Sequence, residues 1–89
     1  MEELLQRIVR LRGVEVGRVV DVILDAAEER PLGLEVRCRD GRHRFLPMGA
    51  ALPEGDEFVV DSPFALLDSD ELAFYRERGV PLSTRNSAA

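Results

Sequence analysis

The sequence predicts a mainly β domain: a small barrel of five to six short strands followed by one short C-terminal α-helix. Three observations lead there. Apolar residues from Leu4 to about Val60 recur with period two and are interrupted by turn residues at short intervals, the pattern of a strand meander. Gly17 falls inside the longest apolar run, where a small closed barrel needs a bulge or sharp bend. After Leu67 the pattern changes to that of a capped helix.

Leu4 to Leu11 reads as the first strand, interrupted at Arg12-Gly13. Val14 to Leu24 is the second. On simple alternation Val20, Val22 and Leu24 share one face, and Val19 and Ile23 the other, beside Asp21. A strand apolar on both faces is either covered twice or bulged. Residues 25–31 form a polar connection. In the third strand Leu32, Leu34, Val36 and Cys38 alternate with Gly33, Glu35, Arg37 and Arg39. Asp40-Gly41 is a strong signal for a two-residue hairpin turn. The fourth strand runs from Arg42 to Leu46 and stops at Pro47. A loop with Gly49, Pro53 and Gly55 leads to a fifth, Glu57 to Asp61, and Phe64 to Leu67 is a candidate for a short sixth. Asp68 is placed to cap a helix, with Glu71 three residues on and Leu67 and Leu72 at the hydrophobic-staple positions. That helix should end near Arg78, at Gly79 and Pro81. Residues 1–67 are therefore expected to form the barrel, 68–82 the helix and an extension of the same domain, and 83–89 a flexible tail.

Eighty-nine residues make one domain with no room for a second core. No apolar run approaches the roughly 18–20 residues of a membrane helix, and Met1-Glu2-Glu3-Leu4 does not open like a signal peptide. A cytoplasmic location is the expectation. The single cysteine, Cys38, rules out an internal disulfide and a thiolate zinc cage. All twelve basic residues are arginine, so each cation is a planar fork suited to carboxylate or phosphate, and none is a reactive amine. The net charge of −5 argues against a general nucleic-acid binder. It is also uneven: nine arginines balance nine acids in residues 1–53, while three face eight in residues 54–89.

Gly17-Arg18-Val19-Val20-Asp21-Val22-Ile23-Leu24-Asp25 follows a G-x-V-x-D-V-x-x-D pattern, and with it the chain resembles the PRC-barrel family. Gly17, Val19, Asp21, Val22 and Asp25 are the signature positions. Pro31 to Val36 resembles that family's next strand, Phe45-Leu46-Pro47 its aromatic–aliphatic–Pro segment, and Asp56 to Val60 its closing strand. The likeness covers roughly residues 4–62, with a loop at Arg10 to Glu15 that is a little short. It implies a six-stranded, SH3-like barrel. Family members occur in the photosynthetic reaction-centre H subunit, in the C-terminal half of the ribosome maturation factor, and as small stand-alone proteins that often dimerise. The first two settings are binding roles, but this chain shows neither the membrane helix of one nor the N-terminal domain of the other. The resemblance therefore implies a bacterial stand-alone member of unassigned role, and a fold does not supply a function.

Several residues are candidates for a site. A two-residue turn at Asp40-Gly41 would set Arg39 opposite Arg42, Cys38 opposite His43, Arg37 opposite Arg44 and Val36 opposite Phe45. Arg37, Arg39, Arg42 and Arg44 would then share one face, with Val36, Cys38, His43 and Phe45 on the other. Such a basic plate suits phosphate or an acidic protein surface, but it equally suits a solvated arm that deters aggregation, or internal pairing with acids at 54–57 or 68–71. Cys38 and His43 are too few for a zinc site and lack the third group of a catalytic dyad. Asp21 and Asp25 are about 13 Å apart on a straight strand, too far for a carboxylate pair, and suit turn or backbone hydrogen bonding instead. No metal, cofactor or catalytic constellation is expected. Leu72, Phe74 and Tyr75 on the helix must dock, either over the end of this chain's own barrel or against a partner. The functional expectation is a non-enzymatic, protein-binding adaptor, homodimeric, that uses the strand edges, the arginine hairpin or the helix. The alternatives are a ribosome- or RNA-associated assembly factor working through the arginines, and a small-ligand binding protein.

Overall fold

A computed structural model of the chain describes residues 2–28 and 30–87. Its strands are β1 (Ile8–Leu11), β2 (Val14–Leu24), β3 (Pro31–Cys38), β4 (His43–Pro47), β5 (Leu52–Glu54), β6 (Glu57–Val60) and β7 (Val80–Pro81), and its α-helices are α1 (Ser69–Arg78) and α2 (Leu82–Ser87). The sheet order is β4-β3-β2-β1-β6-β5, with β7 paired to β2. All pairs are antiparallel except β1 with β6. Val9, Val19, Val22, Leu24, Leu34, Val36, Leu46, Phe58 and Val60, from five different strands, are essentially buried in one cluster. The sheet is thus rolled around this main core, as a small barrel requires.

The first strand is shorter than its pattern suggests. Glu2–Leu4 forms a 3-10 turn, and regular pairing begins only at Ile8. The β1–β2 turn is the two-residue kind, with Arg12 (φ 52°) and Gly13 (φ 79°) both left-handed. The expected sixth strand at Phe64 to Leu67 is a 3-10 turn, Pro63–Ala65, followed by a single bridge from Leu67 to Phe45. An extra short strand, Leu52–Glu54, lies in what reads as loop.

β2 resolves its two-faced pattern by both routes at once. In its pairing with β3, Val20 is bulged out between Val19, opposite Val36, and Asp21, opposite Glu35. The extra residue turns Val19 inward with Val22 and Leu24, where strict alternation puts it with Ile23. Asp21 and Ile23 face outward and are covered by α1. The expected tail is also partly structured. Leu82–Ser87 is helical, Leu82 is buried, and the Ser83 N–H donates to Asp21 Oδ1 at 3.1 Å. Residues 88 and 89, and position 29 within the polar connection, lie outside the described residues.

Candidate functional site: the outer face and the hairpin end of the barrel

The β3–β4 hairpin decides which side chains meet. Its observed register pairs Arg37 with His43, Val36 with Arg44 and Glu35 with Phe45, one residue from the expected one. The reason is the turn. A two-residue type I′ loop needs positive φ at both central residues, and here only Gly41 (φ 85°) has it. The Gly41 N–H donates to Cys38 O at 2.9 Å and the Cys38 N–H to Arg42 O at 2.8 Å, which gives a three-residue loop ending in a left-handed glycine. Because side chains alternate, a shift of one residue moves every β4 side chain to the other face. The four-arginine plate therefore does not form. Arg44 turns to the barrel side and pairs with Asp40 at 2.9 Å, while His43 and Phe45 face outward. Cys38 is buried and lies on the opposite face from His43, so the two never meet.

The outer face of β2, β3 and β4 is organised in cross-strand rows. Asp21, Glu35 and Phe45 form one, and Arg18, Arg37 and His43 the next. The first row is covered by α1. Tyr75 stacks on Phe45 with centroids 4.2 Å apart, and Leu72 and Ile23 complete a second small core. Leu67 packs against it, as a staple to Leu72 should. The helix thus lies against the sheet's outer face and does not plug the barrel end. Phe74 stays 47% exposed, edge-on to Tyr75 and beneath the Arg78 guanidinium.

Asp21 and Glu35 are the buried charged residues of the described chain, and they stand directly opposite each other. Arg76 reaches down from α1 to both, hydrogen-bonding Glu35 Oε1 and lying 3.3 Å from Asp21 Oδ2. His43 Nδ1 lies 2.5 Å from Glu35 Oε2, and the Ser83 hydroxyl donates to Asp21 Oδ2 at 2.6 Å. Asp21 Oδ1 also accepts the Val22 N–H at 2.9 Å, and Asp25 Oδ1 accepts the Arg30 N–H. The signature acids are therefore hydrogen-bond acceptors that organise backbone and helix. Gly17 has a steric role: a Cβ there would lie 2.6 Å from Arg37 O.

The row beyond stays open. Arg18, Arg37, Arg39 and Arg42 are exposed and have no carboxylate partner among the described residues. Arg18, Arg37 and Arg39 line one concavity, whereas Arg42 lies in another with Asp68. Two other ion pairs are tied off locally. Arg44, then the Arg42 N–H, hold the Asp40 carboxyl down to about 2, and Asp40 raises Arg44. Hydrogen bonding by Arg10 lowers Glu57.

At the hairpin end of the barrel, a groove of about 480 Å³ has a largely apolar wall of Leu11, Val14, Val16, Cys38, Pro63 and Leu66, and Glu15, Arg39, Asp40 and Arg44 line the rest of it. Phe64, next to Pro63, is 88% exposed and Val14 60%. Nothing in the strand periodicity marks this groove, because it is assembled from the ends of β1, β2 and β3 and from the segment around Pro63, which meet only in the fold. Arg18 is likewise missed by reading single strands: its partner Arg37 is set by a long-range register. No helix among the described residues is long and apolar enough to cross a membrane, and they hold no group of three or more metal-ligating side chains.

No curated protein matches the chain. The PRC-barrel domain pattern matches residues 6–67, which span β1 to β6 and the Leu67 bridge. With most of its length covered by that pattern and a rolled sheet of the corresponding kind, the chain belongs to the PRC-barrel family.

Proposed function

We propose that this PRC-barrel protein is a non-enzymatic binding module, a protein adaptor that works as a homodimer. The observation that carries the reading is Phe64, 88% exposed and next in the chain to Pro63, which lines the groove with Leu11, Val14, Val16, Cys38 and Leu66. A bare aromatic beside an apolar groove on the same chain is self-complementary. Two copies related by a two-fold axis would each place Phe64 in the other's groove, making one contact twice. Aromatic anchors filling apolar pockets are the usual energetic centre of protein interfaces. A non-catalytic role is supported by the buried polar cluster, where Asp21 and Glu35 are occupied by Arg76, Ser83 and His43.

Sedimentation equilibrium tests the reading. The wild type is expected to be dimeric at micromolar concentration. Phe64→Asp is expected to be monomeric with its melting temperature within a few degrees of wild type, since the ring is outside the core. A wild type that remains monomeric, or a variant that dimerises equally well, would remove the proposal.

A further inference from the structure

The row of Arg18 and Arg37 carries a separate inference that does not rest on dimerisation. Cross-strand like charges destabilise a sheet. The acidic row beside this one is compensated by Arg76, but Arg18 and Arg37 stand in register with no carboxylate partner among the described residues. Arg39, the first residue of the turn that follows β3, joins them around a single concavity of about 320 Å³. Gln6 lines the same hollow and is held in a left-handed conformation (φ 69°), uncommon for a residue with a side chain. Its exposed amide adds donors to those of the three guanidinium forks. Glu15 is the one carboxylate in the lining, so the hollow keeps a net positive charge on a chain of net −5.

Guanidinium forks engage phosphoryl oxygens through paired, charge-assisted hydrogen bonds. The small extent of the hollow and the acidic remainder of the molecule set the size of the ligand. A long polyanion would leave the three arginines and run onto surface of its own sign, whereas a compact anion would not. We propose that Arg18, Arg37 and Arg39, with Gln6, form a binding site for a compact phosphoryl group, such as the terminal phosphate of a small molecule.

The test is a titration of the full chain with sodium pyrophosphate against sodium chloride of matched ionic strength, followed by amide and arginine Nε–H chemical shifts. Saturable shifts confined to Gln6, Gly17, Arg18, Arg37 and Arg39 are expected. Arg37→Gln should weaken the interaction by about tenfold or more, the usual loss when a charged hydrogen-bond donor is removed. Arg78→Gln, which removes the same charge outside the hollow, should leave it unchanged. Linear shifts matched by chloride, or equal weakening by both variants, would show only a net-charge effect and overturn the site. Tighter, length-dependent binding of a single-stranded RNA at these residues would overturn the compact ligand in favour of a nucleic-acid backbone. Tighter binding of an oligoglutamate peptide would overturn the phosphoryl chemistry in favour of an acidic protein.

Discussion

Asp21 and Glu35 oppose each other across β2 and β3, and both are buried. Two such carboxylates repel unless a cation lies between them, and Arg76 supplies it from α1. Removing one partner from a buried ion cluster costs far more than the intact cluster contributes, because the remaining charges are left unpaired. Arg76→Ala should therefore cost about 2–3 kcal/mol, less than a fully enclosed pair because the guanidinium is partly open to water. Urea unfolding measures it. A change near zero would show that water replaces the arginine, and Arg76 would lose its structural role. Asp21 also shows how much of a residue's role can be read from sequence. Its place in the signature and its use in hydrogen bonding are legible locally. Its partners Arg76 and Ser83 are 55 and 62 positions away, and nothing nearby in the chain points to them.

Helix α1 was the element most legible in advance. Although the Asp68 side chain makes no capping hydrogen bond, the helix's start after Asp68, its end at Arg78 and its staple all follow from residues close in sequence. Its docking face does not. Leu72, Phe74 and Tyr75 all read as groups that must dock, but the sheet accepts only Leu72 and Tyr75, which are three apart on one face of the helix. Tyr75→Ala removes the ring stacked on Phe45 and should destabilise the protein by about 2–3 kcal/mol. Phe74→Ala, on the exposed flank, should stay within about 0.5 kcal/mol. Thermal melts of the two variants separate these outcomes, and equal losses would mean that the helix packs on a different face. The β3–β4 hairpin is the converse case. Asp40-Gly41 correctly marks the turn, but the same dipeptide serves a two-residue and a three-residue loop. That choice displaced Arg44 and His43 to opposite faces and dissolved the four-arginine plate.

Across the whole molecule, charge is sorted by depth as well as by sequence. The paired carboxylates Asp40 and Glu57 are held by Arg44 and Arg10, so both titrate lower in the fold than in an unfolded chain. A carboxyl depressed by folding contributes stability above its ordinary value and loses it as the pH falls through the folded one. For Asp40 that window runs from about 3.8 down to about 2. The melting temperature should fall across it, and Asp40→Asn should flatten the lower part of the curve. Melts followed by far-ultraviolet circular dichroism at pH 7, 4 and 2 check this, and an unchanged slope in the variant would show that the Asp40–Arg44 pair contributes nothing. Strand periodicity, turn residues and helix caps are local, so the mainly β class, most strand positions, the helix and the PRC-barrel signature could be read directly from the amino-acid order. Register, bulges and docking are long-range. One extra residue at Val20 and one at the Asp40-Gly41 turn reassign whole sets of side chains between inside and outside, because strand faces alternate at every residue. The juxtaposition of Arg18 with Arg37 and the groove beside Phe64 were therefore decided only when the chain closed on itself.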